Sequence, residues 1–203
     1  MSDIQSNISA DEALQRLREG NERFLHGEIR LAGQVREQLK GLEHSQQPFA
    51  TILGCSDSRV PPEVIFDCGI GELFVIRVAG NVFSNEIAAS LQYAGAHLHT
   101  HLFVVLGHQN CGAVKAALTN RDQGEVHRSR IQLLVNSILP GLPPFDPGLS
   151  PEERTTQAIE SNIRWTVQQI LDTPEAQLRL KEGKVRIVGA LVEIKTGHVK
   201  FFD

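Results

Sequence analysis

Phe49-Ala50-Thr51-Ile52-Leu53-Gly54 runs directly into Cys55-Ser56-Asp57-Ser58-Arg59, and this junction decides how the chain is read. A short apolar run bounded by turn-forming residues reads as a strand covered on both faces. Two more runs of this kind follow, Leu73-Phe74-Val75-Ile76-Arg77-Val78 and Leu102-Phe103-Val104-Val105-Leu106. Helical signals separate them. Pro61-Pro62-Glu63 opens a short helix, because proline is tolerated in a first turn. Ile87, Leu91, Ala94 and Leu98 recur at helical spacing and mark a helix from about Asn85 to His99. Strands alternating with helices imply a mainly parallel sheet with helices on both faces.

Outward from this centre, Ser9-Ala10-Asp11-Glu12 has the form of a capping box, since the Ser hydroxyl and the Glu carboxylate can satisfy amides at a helix start. Leu14, Leu17, Phe24 and Leu25 carry that helix to about residue 26, and a weaker helix is expected over Leu31 to Leu42. Gly69-Ile70-Gly71 is a turn, and a helix is expected from Cys111 to about Thr119. The stretch from Gly141 to Gly148 is an irregular connection. Ser150-Pro151-Glu152-Glu153 then begins a long helix with the stripe Ile159, Ile163, Val167, Ile170 and Leu171. Thr173-Pro174-Glu175 begins another, which Gly183 can end. Val185 to Ile194 is a strand and His198 to Phe202 a final antiparallel one. The expected fold class is therefore α/β: a central mainly parallel sheet of about four parallel strands plus an antiparallel edge strand, flanked by helices. One domain is expected, with residues 1–45 as a helical arm and 46–203 as the α/β core.

Composition narrows the partners. The 203 residues carry a formal net charge of −4, with 41% hydrophobic and 22% charged residues, which argues against nucleic acid or an anionic membrane surface. No apolar run approaches the roughly 18 residues of a membrane helix, and the first residues lack the order of a secretory signal. Three cysteines, Cys55, Cys68 and Cys111, are too few for a disulfide scaffold. In a reducing cytoplasm, the expected location, such cysteines serve as metal ligands, reactive groups or core residues.

In open α/β sheets, ligands bind beyond the carboxyl ends of the strands. Cys55 follows one strand, and Gly107-His108-Gln109-Asn110-Cys111-Gly112 follows another, so both segments reach the same rim. Cys55, His108 and Cys111 make a three-ligand set for Zn²⁺ with one position left open. The start of the helix after Cys111 favours its thiolate. Two thiolates cancel the charge of the ion, so a water bound there is acidified weakly and gains from a nearby acceptor. Asp57 can be that acceptor and Arg59 can hold it by a bidentate pair. Asp57 can also take the fourth position itself and close the site.

Cys-x-Asp-x-Arg followed by His-x-x-Cys-Gly resembles the β-class carbonic anhydrases. The likeness is strong over residues 12–119 and includes Gly20-Asn21-Glu22-Arg23-Phe24, Gly71-Glu72-Leu73-Phe74-Val75 and Arg77 through Asn81. It implies one zinc per subunit on Cys55, His108 and Cys111, with water or Asp57 fourth, and an Asp57–Arg59 dyad. It implies reversible hydration of carbon dioxide to bicarbonate and a proton by zinc-bound hydroxide. It also implies a homodimer or dimer of dimers with a narrow apolar pocket at the subunit boundary. Gln46, Phe74, Ala79 and Tyr93 then line the pocket, with the amide of Gly112 close by and Gln46 donating to a carbonate oxygen. Ala79 replaces a bulkier aliphatic residue of plant-like members. Ile52 stands where a bicarbonate-inhibited bacterial subgroup has Trp, which speaks against that regulatory site.

Two rival functions keep the same ligands: hydrolysis of a related small substrate such as carbonyl sulfide, and a non-catalytic regulatory protein whose zinc is permanently closed by Asp57. His97, His99 and His101 alternate around a helix end and do not share a helical face, so they are read as ordinary helix-end histidines. Cys68 is read as a small buried residue. The glycines form no phosphate-binding fingerprint.

Overall fold

The computed structural model describes residues 8–30, 39–40 and 42–202. Among them, β1 (Ala50–Gly54), β2 (Leu73–Arg77), β3 (Leu102–His108), β4 (Arg186–Val192) and β5 (Val199–Phe202) form one sheet in the order β2-β1-β3-β4-β5. The first four strands are parallel and β5 is antiparallel to β4. All residues of β1 and β3 are buried, which explains their uninterrupted apolar sequence.

Side chains alternate between the two faces of the sheet. Leu53, Phe103, Val105 and Leu191 pack on one side. There they meet α3 (Asn85–His97), α4 (Gly112–Gln123), α5 (Ile131–Ile138), α6 (Pro151–Leu171) and α7 (Pro174–Lys181). Ile52, Val104, Leu106 and Val188 pack on the other, under α1 (Ala10–His26) and α2 (Pro62–Ile65). The first helix thus lies on its own sheet. Its capping box is formed, with Ser9 accepting from the Glu12 amide and Glu12 accepting from the Ser9 amide. Gly20 lets α1 approach the backbone carbonyl of Phe66, where any Cβ would clash. Asn21 sits in the contact and bonds to Ile65, Gly197 and Val199.

Several boundaries differ from expectation. β3 continues through Gly107 and His108 because both pair in register with Leu191 and Val192 of β4, so His108 ends the strand and does not follow it. α3 stops at His97, and His99 takes a left-handed φ of 55°. Helix α5 was not anticipated, although Ile131, Leu134, Val135 and Ile138 carry its apolar spacing. The helix expected over Leu31 to Leu42 falls largely outside the described residues. No helix among the described residues is long and apolar enough to cross a membrane.

Candidate metal centre

β1 and β3 are direct neighbours, with Gly54 in register with Leu106, so their carboxyl ends open on one rim. Cys55 begins just past β1, and His108 closes β3. From there the Gln109 amide bonds to the Val192 carbonyl at 2.9 Å, and Asn110 turns the chain with a φ of 58°. That left-handed step is one asparagine tolerates better than most residues. It delivers Cys111 to the N-cap of α4. The ligand atoms of Cys55, His108 and Cys111 lie within 4.8 Å of one another and all three residues are buried.

The arrangement fits a metal ion by its own chemistry. His108 Nδ1 is 2.9 Å from the Gln109 carbonyl, which assigns the ring proton to Nδ1 and leaves Nε2 with a free lone pair. Nε2 is buried and has no hydrogen-bond partner. Buried polar atoms are ordinarily paired, so an orphan facing two thiols marks the place of a missing partner. The Cys111 thiol beside it, helped by the Gly80 amide, drives the Cys55 thiol well down despite burial. Cys111 moves the opposite way: the Cys55 thiolate and burial push it up, outweighing the Ala113 and Val114 amides at the helix start. The cluster alone therefore stabilises one negative sulfur, whereas a divalent cation would let both ionise. Two sulfurs and one imidazole suit zinc among the common divalent ions.

Asp57 stands at the rim, its Oδ2 3.8 Å from His108 Nε2. Arg59 grips it in the expected bidentate way, Nε to Oδ1 at 2.9 Å and Nη2 to Oδ2 at 2.8 Å, and its amide adds a bond to Oδ1 at 3.0 Å. These bonds hold the Asp57 carboxyl far below the usual carboxylate range. Arg77 adds contacts that its residue type does not signal in the sequence. Its guanidinium ties the carbonyls of Cys55, at 3.0 Å, and Asp57, at 2.6 Å, and so shapes the whole loop. The single turn Ala79–Asn81 adds a second unforeseen contact, the Gly80 amide donating to Cys55 Sγ at 3.3 Å.

Of the expected pocket residues, the structure brings Phe74 and Tyr93 together, with ring centroids 6.1 Å apart, and leaves Tyr93 46% exposed. Ala79 is half-buried in the turn that carries Gly80, and Gly112 opens α4 beside Cys111. Gln46 is exposed in the coil before β1 and makes no bond to the cluster. His101 Nδ1 bonds to the Ile8 carbonyl, and the His97 ring lies 5.1 Å from that of Tyr93. Cys68 is buried with its thiol pushed up by burial and by Glu72, and donates to the Phe66 carbonyl.

A Cys-His-Cys cluster on the carboxyl rim of a parallel sheet, flanked by an arginine-held carboxylate, defines an α/β protein built around a candidate metal site. Residues 50–199 match the family model described as carbonic anhydrase. The carbonic anhydrase of Mycolicibacterium smegmatis is 37% identical, over 93% of this chain and 91% of that one. Carbonic anhydrase 2 of Mycobacterium tuberculosis is 35% identical, over 97% and 95%. Among solved structures, the β-carbonic anhydrase CcaA superposes with a TM-score of 0.72 at 28% identity, covering 94% of this chain and 95% of that one. A tetrameric β-carbonic anhydrase of Sordaria macrospora shares the fold, with a TM-score of 0.73 at 22% identity over 94% and 97% of the two chains. The chain belongs to the carbonic anhydrase family, in its β class, and is an enzyme of that kind, the family's general reaction being hydration of carbon dioxide.

Proposed function

We propose that the chain is a zinc-dependent carbonic anhydrase interconverting carbon dioxide with bicarbonate and a proton, with zinc held by Cys55, His108 and Cys111. The observation that carries this reading is the orphaned, fully buried His108 Nε2 facing two thiols beside the Asp57–Arg59 pair. When bound, zinc supplies the Lewis acidity that makes a coordinated water nucleophilic near neutral pH.

The chain's own residues do the rest. Arg59 keeps Asp57 ionised and turned toward the site, so its carboxylate accepts a hydrogen bond from the attacking water and orients it. The proton leaves through Asp57 or directly to solvent. Phe74, Ala79 and Tyr93 hold the apolar substrate and exclude competing water, Gln46 donates to a substrate oxygen, and the Gly112 amide lies close by. Gln46 is exposed and Tyr93 presents its ring, which supports a pocket completed by a second subunit in a homodimer or dimer of dimers. Asp57 also has the alternative of becoming a fourth ligand, and its intact pair with Arg59 supports the open arrangement. Three free thiols suit a cytoplasmic setting.

Metal analysis and stopped-flow carbon dioxide hydration from pH 6.5 to 9 test the reading. One zinc per subunit and activity that rises with pH are expected. Zinc without hydration at any pH leaves the closed, non-catalytic protein, and sulfide release from carbonyl sulfide outpacing hydration leaves the rival hydrolase.

A further inference from the structure

The contact between the Gly80 amide and Cys55 Sγ depends on a short turn whose conformation is unusual. Gly80 has a φ of +72°, and a Cβ there would approach Ala113 Cβ at 3.0 Å and Ile138 Cδ1 at 3.1 Å. Something must hold this turn, and the holding groups come from α6. Asn162 Nδ2 donates to the Gly80 carbonyl at 2.9 Å, and Thr166 Oγ1 donates to the Asn81 carbonyl at 3.1 Å. One helical turn apart, they seize consecutive carbonyls. Both are buried, Asn162 at 1% and Thr166 at 0% exposure.

Two further observations point the same way. Asn162 Oδ1 and Asn81 Nδ2 are buried without hydrogen-bond partners, so polar groups are kept at this spot at a cost in stability. The helix also lies unusually deep. A Cβ on Gly107 would meet Ile163 Cδ1 at 2.5 Å, and one on Gly189 would meet Ile163 Cγ2 at 2.8 Å. Two glycines on adjacent strands thus let Ile163 sink into the sheet and carry its neighbour Asn162 down to the turn.

We propose that Asn162 and Thr166 are positioning residues for the metal centre: by fixing the Gly80–Asn81 carbonyls they aim the Gly80 amide at Cys55 Sγ and set how that thiolate is presented to the ion. The proposal rests on the zinc reading above. Hydrogen bonds to a ligating sulfur orient it and tune the metal, and losing such outer partners typically lowers metal affinity about 10- to 100-fold.

The test compares wild type with Asn162→Leu, Thr166→Val and Thr166→Ser. Zinc affinity is measured by chelator competition, the thiolate charge-transfer band by cobalt substitution, and thermal stability in parallel. Asn162→Leu is expected to weaken zinc binding about tenfold or more and to shift the cobalt band. Thr166→Val should do so to a smaller extent, and Thr166→Ser, which keeps the hydroxyl, should match wild type. If Asn162→Leu yields no folded protein, the Thr166 pair decides. Variants that melt earlier but bind zinc as tightly and give an unshifted band overturn the proposal, because a purely structural role predicts that pattern. Wild type that binds neither metal overturns the zinc reading beneath it.

Discussion

Asn21→Ala should be among the more damaging single changes far from the metal ligands. Asn21 is 3% exposed and spends its whole amide on three distant backbone groups. Nδ2 donates to Ile65 at 3.1 Å and Gly197 at 2.9 Å, while Oδ1 accepts from the Val199 amide at 2.9 Å. It thus ties α1 to the end of α2 and to the edge strand β5. Each bond is worth about 1 kcal/mol net, and a buried amide left without a partner costs about 1–3 kcal/mol. With water refilling part of the gap, the loss comes to about 3 kcal/mol. For a chain of this length that lowers the melting temperature by about 6–12 °C. Thermal unfolding followed by circular dichroism measures it, with the exposed Glu22→Ala on the same helix as control, expected within about 2 °C of wild type. A shift for Asn21→Ala no larger than the control's would refute the reasoning, since it would mean that α1 is not held through this side chain.

Arg59→Ala removes the bonds that depress the Asp57 carboxyl and frees it to compete for the metal, so hydration activity should fall more at pH 7 than at pH 9; two parallel pH profiles would sink the dyad. Asp67 is fully buried, and although burial acts to raise its carboxyl, the bonds from Arg23 and Arg30 prevail and lower it. A lowered carboxyl stabilises the fold above its unfolded value of about 4 and loses that contribution as pH falls through the folded one. The stability gap between wild type and Asp67→Asn should therefore be constant near neutrality and close below about pH 4, measured by urea unfolding. After metal removal, native-state alkylation should label Cys55 before Cys111 and Cys68, because only Cys55 has its thiol driven down. Equal labelling by mass spectrometry would contradict the charge distribution drawn above.

The centre of the fold was legible because β1 and β3 are buried on both faces, which forces an apolar run that no surface strand would carry. From that placement the ligand set followed, since Cys55 and His108 stand where two neighbouring strands end. Asp57 and Arg59 were legible for a local reason: a two-residue offset in one loop allows the bidentate pair. Arg77 was not, because its work is done through backbone carbonyls of another strand's loop, which leave no trace in residue type. Asn162 and Thr166 escaped notice for the same reason, being polar positions within a helix whose apolar stripe dominated the reading. Helix α5 carried an adequate apolar spacing but lacks a side-chain cap, so its start had no signal. The extent of β3 was underestimated because Gly107 and His108 are poor strand formers, and pairing with β4 overrides their preference.

The parallel pairing of β1 with β3 also has a kinetic meaning. Cys55 and His108 become neighbours only after the chain has run from Ser56 out through β2 and α3 and returned through His101 to lay β3 beside β1. Closing such a long crossover is slow, and its entropy is spent before Cys55 can meet His108 and Cys111. In the unfolded chain only His108 and Cys111 are local to each other, three residues apart, so the full three-donor set is not gathered in one short loop as it is in zinc fingers. An ion that needs all three donors would find them together only once β1 and β3 are paired, which makes it the last part to be fitted and not the seed of the fold.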